Sequence, residues 1–215
     1  MGKSRRVENP LAGKTDRLLM EHFSTVDRNA TIPIRLRDGK RQGLATFLGK
    51  HGFDKCVEIG VQWGYFSATL CEANPRIVLS SVDPWLGRNA ANRPQDVPRN
   101  EQKFEKATRR LAKYNCTIIR KKSLDALDDF KDASLDFVYI DGDHHFDMVI
   151  QDIIYWHAKL RKGGIMALHD YYHFNHGGVI AAVNAYTRAH HIDPWYVTYE
   201  DQPTALWVKT GRYVV

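Results

Sequence analysis

Two groups of residues have the types and spacing of working chemistry. The first is Glu58-x-Gly60-x-x-x-Gly64 in VEIGVQWGYFSATL, followed by Asp83 in SVDPW. A glycine-rich turn between a strand and a helix lets a ligand touch the backbone, because no Cβ blocks the approach and helical N–H groups point outward. A carboxylate at the end of the next strand can take the two hydroxyls of a ribose. The spacing is not that of a dinucleotide site: Gln62 stands where a pyrophosphate would need a second glycine, so NAD is disfavoured and a nucleoside without a pyrophosphate fits best. The second group is Asp141, Asp143 and His144 in IDGDHH, with Asp170 in LHDYY. Asp141 and Asp170 end strands expected to lie about 4.8 Å apart, so their carboxylates could converge on an oxygen-preferring cation such as magnesium. Such an ion would lower the pKa of a bound hydroxyl and orient it. Asp143 or His144 could complete its shell, or His144 could act as a general base with no metal, since imidazole titrates near neutrality.

These residues need strand ends to carry them, and the chain supplies those in an alternating pattern. Strands are expected at Cys56–Val61, Ile77–Val82, Cys116–Arg120, Leu135–Ile140 and Gly164–His169. Helices are expected at Tyr65–Ala73, Asn100–Tyr114, Asp147–Leu160 and Gly178–Ala189, the third through Val149, Ile150, Ile153, Ile154 and Trp156 on a sheet-packed face. The alternation predicts an α/β fold with a parallel sheet covered on both faces. WYVTY and TALWVKT are separated only by EDQP, which forces an antiparallel hairpin at the end of the sheet. Leu44, Phe47 and Leu48 have helical spacing. Residues 1–42 are expected to form an irregular N-terminal arm or lid, and residues 43–215 the folded domain. The polar stretch from Pro84 to Asn100, with three prolines, is a candidate cover for a ligand.

Composition narrows the class further. With 43% hydrophobic and 26% charged residues, 215 residues suit one soluble domain with a sizeable core. The three cysteines, without CxxC spacing, are expected to be reduced thiols of a cytoplasmic protein and not a zinc site. No apolar stretch reaches the roughly 18 residues of a membrane span, and MGKSRRVENP lacks the apolar segment of a secretory signal. Arg6 stands where a myristoylation signal wants Ser or Thr. The formal charge of +6 is scattered and selects no partner.

The ordered set of motifs resembles the class I S-adenosylmethionine-dependent methyltransferases, from about Gly43 to the C-terminus. VEIGVQWGYFS is similar to the first motif of that family, with its non-glycine at Gln62 as in the catechol O-methyltransferase branch. SVDPW is similar to the second. LDFVYIDGDHHFDMVIQDIIYWHAKLRKGGIMALHDYY resembles the fourth and fifth, in the manner of sugar, macrolide and catechol O-methyltransferases. The resemblance implies a Rossmann-like seven-stranded sheet of order 3-2-1-4-5-7-6, with strand seven antiparallel. It implies that Glu58, Gly60 and Gly64 line the methionine part of S-adenosylmethionine, that Asp83 holds the ribose, that Ser123 approaches the adenine, and that Asp141 lies beside the sulfonium. Where the catechol branch carries an Asp-Asn metal-binding pair, this chain has Asp170-Tyr171.

Several residues keep a second reading. Ser123 could instead cap the helix that starts at LDAL. Trp63 and Trp85 could wall the adenosine or simply pack. His145, His157, His190 and His191 are expected at solvated or helix-terminal surfaces, and His169 as a satisfied core histidine. His173 and His176 follow Asp170 on a loop leaving the sheet edge, from which either could reach an acceptor.

The function expected is methylation of a small hydroxylated acceptor, a sugar or phenolic metabolite, with magnesium as a candidate helper. Nucleic-acid methylation is the first alternative, prompted by RKK, TRR and GKR, although no Asn/Asp-Pro-Pro-aromatic motif accompanies them. A cofactor-binding protein of the same fold without methylation is the second. A homo-oligomer in which the N-terminal arm covers a neighbour's site is compatible with the sequence.

Overall fold

The computed structural model describes residues 10–23, 32–36, 39–86, 96–173 and 177–211. The elements in chain order are α1 (Pro10–His22), β1 (Ile34–Leu36), α2 (Arg41–His51), β2 (Lys55–Ile59), α3 (Tyr65–Ala73), β3 (Val78–Val82), α4 (Val97–Leu111), β4 (Cys116–Ile119), a 3-10 turn (Leu124–Asp129), β5 (Leu135–Ile140), α5 (Phe146–Lys159), β6 (Leu160–Leu168), α6 (Gly178–Ala189), β7 (Tyr196–Thr198) and β8 (Ala205–Val208). The sheet has the order β1-β7-β8-β6-β5-β2-β3-β4. Seven of these strands follow the expected 3-2-1-4-5-7-6 arrangement, and β8 runs antiparallel to both β6 and β7.

The eighth strand comes from the segment expected to be irregular. β1 pairs in parallel with β7, Ile34 opposite Tyr196 and Leu36 opposite Thr198, while α1 buries Leu19 and Phe23 against the same core as α2 and α3. Three residues are too few for a period-two pattern to stand out. Pairing with β7 and the burial of Ile34 and Leu36 stabilise β1 instead.

Alternation along the strands divides the core in two. Cys56, Phe137, Tyr139, Ile165 and Ala167 face the α1–α3 layer, whereas Val57, Ile59, Val138, Ile140, Met166 and Leu168 face α5 and α6. The period of two sends each consecutive pair to opposite faces. His157, expected at the surface, is 3% exposed on the α5 layer; burial drives its pKa down to about 3, helped by the nearby Lys209, so it packs as a neutral ring.

The central strands end tightly together. The Asp141 N–H donates to the Ile59 carbonyl at 2.7 Å and the Gly60 N–H to the Val82 carbonyl at 2.9 Å. Gly60 has φ +88°, and a Cβ there would overlap the Asp141 carbonyl and crowd Gly142. Its bareness is therefore required by the chain itself. Gly64, at φ +71°, opens α3, and a Cβ on it would stand 3.2 Å from Leu111 of α4, so it serves the α3–α4 contact.

Gly60→Ala should cost at least about 2 kcal/mol, combining left-handed strain with backbone overlap; urea unfolding measures it, and a loss under 0.5 kcal/mol, roughly the scatter of neutral surface changes, would contradict this packing. A second expectation concerns Asp16 on α1. Burial raises its carboxyl to about 6 from the usual 3.8, against the lowering effect of the Tyr196 hydroxyl that donates to it. Because the folded state holds this proton more tightly, the associated stability is fully present below the unfolded value and is lost as pH rises through about 6. Asp16→Asn should therefore gain melting temperature relative to the parent on going from pH 5 to pH 8; equal differences at both pH values would disprove it.

Candidate functional site

A cleft of about 720 Å³ opens at the C-terminal ends of the parallel strands, the edge at which open α/β sheets bind ligands. Gly60, Asp83, Ser123, Asp141 and His144 all line it. Trp85 lines it as well, but Trp63 does not; Lys103 and Lys106 lie over the Trp63 ring instead.

Asp83 does more at the end of β3 than face the cleft. Its Oδ2 accepts the backbone N–H groups of Val61 and Gln62, each at 2.9 Å, and its Oδ1 accepts that of Trp85 at 2.6 Å. The Trp85 indole N–H donates back to the Gln62 carbonyl at 2.8 Å. Gln62 and Trp85 both have positive φ, 48° and 47°. Gln62 thus adopts the left-handed conformation usual for glycine, held there by Asp83. A carboxylate accepts about four hydrogen bonds, so Asp83 retains capacity for a ligand hydroxyl.

Glu58 and Gly64 are not among the residues lining the cleft. Glu58 lies behind it, 2% exposed, accepting from Ser67, which in turn contacts Ser81 at 2.9 Å. Burial holds its carboxyl well above the ordinary carboxylate range, with the Ser67 bond opposing and Asp141 reinforcing. It braces β2 against α3 through Ser67. Ser123 makes no capping bond. Its hydroxyl donates to Asp152 and accepts the Trp156 indole N–H at 2.7 Å, which ties the end of β4 to α5.

At the far end of the cleft, Asp141, His144 and Asp170 each offer a ligand atom within 4.8 Å of the others. His144 Nε2 lies 2.6 Å from Asp170 Oδ2. Asp170 Oδ1 is buried without a hydrogen-bond partner, and Asp170 has φ +59°, one of the strained conformations found at ligand sites. Two carboxylates, an orphaned buried oxygen and an imidazole suit a divalent cation of the magnesium or manganese kind. Asp143 is engaged by the backbone N–H and ring of His145 and stands outside this trio.

His169 differs from the satisfied core histidine expected. Neither ring nitrogen makes a hydrogen bond, and Nδ1 sits 3.3 Å from Asp141 and 3.2 Å from Asp170. Burial works against its charge, but attraction to the two carboxylates prevails and pushes it up to about 9. Asp170 is held far below the usual range; burial opposes this, and the hydrogen bond of His144 together with the nearby charge of His169 outweighs it. Arg41, at the start of α2, reaches within 3.9 Å of Asp141. Sequence reading missed Arg41 and Asp152. The signal for Asp152 was a carboxylate in the apolar stripe Val149, Ile153 and Trp156. His173 is exposed; His176 and residues 87–95 of the expected ligand cover lie outside the described residues.

Residues 57–171 match the family described as "Methyltransferase domain". An uncharacterized protein, y4gI, of Sinorhizobium fredii is 27% identical over 125 residues, covering 54% of this chain and 13% of that protein; the chain thus matches only a small part of that relative. The O-methyltransferase TomG from Streptomyces achromogenes, solved with SAM and described as involved in tomaymycin synthesis, superposes with a TM-score of 0.55 at 18% identity, covering 95% of this chain and 91% of its own. An O-methyltransferase from Bacillus cereus in complex with SAH gives 0.53 at 12% identity, covering 96% and 94%. The family match spans more than half of the chain and the two structures share its fold: the chain belongs to the methyltransferase-domain family.

Proposed function

We propose that the chain transfers a methyl group from S-adenosylmethionine to a hydroxyl of a small acceptor, a sugar or phenolic compound. The observation that carries this reading is the set of polar side chains gathered in one cleft: Asp83, Ser123, Asp141 and His144, the last bonded to Asp170. Both superposed structures are named O-methyltransferases and were solved with SAM or SAH, which favours the same cofactor and atom class here.

The cofactor supplies an electrophilic methyl on a sulfonium. The chain must hold the acceptor oxygen in line with it and relieve that oxygen of its proton. Asp83, with acceptor capacity left, takes the ribose hydroxyls. His144 accepts the acceptor's proton, and Asp170, 2.6 Å behind it, orients the ring and stabilises the imidazolium that results. Asp141, His144 and Asp170 also form the donor set that would hold a divalent cation, whose chemistry would be to acidify the acceptor hydroxyl. Among the described residues no helix is long and apolar enough to cross a membrane.

Asp83→Ala should weaken S-adenosylmethionine binding about tenfold or more through loss of a charge-assisted acceptor; unchanged affinity by calorimetry would remove Asp83 from the site. Asp141→Asn should cut turnover about 100-fold or more with little change in melting temperature. Methyl transfer to a panel of sugars and catechols, assayed with and without EDTA, tests the helper: loss in EDTA, restored by magnesium or manganese, assigns the trio to a cation, whereas full activity leaves His144 as the base. Conversion of no hydroxylated acceptor, alongside methylation of mixed RNA, would overturn the reading.

A further inference from the structure

We infer that Asp152 selects the base of the cofactor, its carboxylate accepting a hydrogen bond from the exocyclic amine of adenine. This rests on the cofactor reading above. Asp152 lies on the sheet-facing side of α5 among Val149, Ile153 and Trp156, all fully buried, and is itself 6% exposed. It nevertheless lines the cleft, together with Ser123, Leu124, Met148 and Gln151.

The hydrogen bonds around it run one way. The Trp156 indole N–H donates to Ser123 Oγ, and the Ser123 hydroxyl donates to Asp152 Oδ1. Trp156 is fixed in turn by Phe130, edge-on at 5.2 Å. Every donor in this relay is consumed inside the protein, and it terminates on a carboxylate with acceptor capacity to spare. Among the described residues Ser123 is its only side-chain donor, and no Lys or Arg pairs with it.

A buried carboxylate left with one donor is costly, and such groups are normally paired or hydrogen-bonded further. Burial raises this one to about 6, with the Ser123 bond opposing, and with Oδ1 taken by Ser123 its carboxylate still has acceptor positions left. What the position lacks is an N–H donor from the cleft side. Adenine presents one in its amine; a base carrying a carbonyl oxygen there would set oxygen against oxygen. Rejection of an analogue by a buried polar group left unpaired is a strong form of selectivity. Asp125, exposed at the rim of the same cleft, is the other carboxylate that could face the base, and it lacks this anchoring.

Calorimetry with S-adenosylhomocysteine and S-inosylhomocysteine, in which the amine is replaced by a carbonyl oxygen, tests the inference. The parent should bind the adenosyl compound at least about tenfold tighter. Asp152→Asn is nearly isosteric and keeps an oxygen for Ser123. It should weaken adenosyl binding and improve inosyl binding, so that the ratio collapses, while Asp125→Asn leaves the ratio as in the parent. An unchanged ratio in Asp152→Asn, with the melting temperature preserved, or a collapse in Asp125→Asn instead, would overturn the assignment. Failure of the parent to bind either compound would strike the cofactor reading itself, a result distinct from an unchanged ratio.

Discussion

The backbone contact between the ends of β2 and β5 governs the site. Because Gly60 has no side chain, the Asp141 carbonyl and Gly142 come up against it directly, and the two strand ends are held by the Asp141-to-Ile59 hydrogen bond. Asp83 then gathers the N–H groups of Val61, Gln62 and Trp85 onto one carboxylate. These contacts fix the floor of the cleft before any ligand enters. Binding groups preorganised in this way lose less freedom when a ligand arrives.

The polar residues around that floor fall into two electrostatic regimes. Glu58 and Asp152 are pushed toward the neutral form by burial, one far and one moderately, and are tied into serine hydroxyls. Asp170 is pushed the other way because His144 and His169 face it. His169, at about 9, serves as a resident cation between Asp141 and Asp170. The corner is thus already charge-compensated by its own side chains.

Much of this was legible in the sequence. The parallel core was readable because β2, β3, β5 and β6 are runs of apolar residues bounded by Asp or Gly, and α5 shows its sheet-facing period. Gly60, Asp83, Ser123, Asp141 and His144 reach the cleft because each follows the C-terminal end of a strand. Glu58 lies off the cleft lining, since a strand sends alternate side chains to opposite faces and Glu58 shares its face with Cys56, toward Ser67 of α3. Gly64 stands off the cleft lining, against Leu111, which lies 47 positions away on α4. His169 and Arg41 escaped for the same reason: what makes them important is charge brought across the sheet, and no local pattern records that.

The pairing of β1 with β7 also bears on how the chain stays dispersed. β7 would otherwise be the outermost strand, and exposed outer strands template association between molecules. Three residues of β1 satisfy that row of backbone groups, while α1 covers the core beneath it with Leu19 and, just past its end, Phe23. A chain trimmed ahead of α2 would keep every cleft residue yet expose a sticky ribbon of backbone and an oily seam, so its first failure would be clumping in solution while the cleft itself stayed intact.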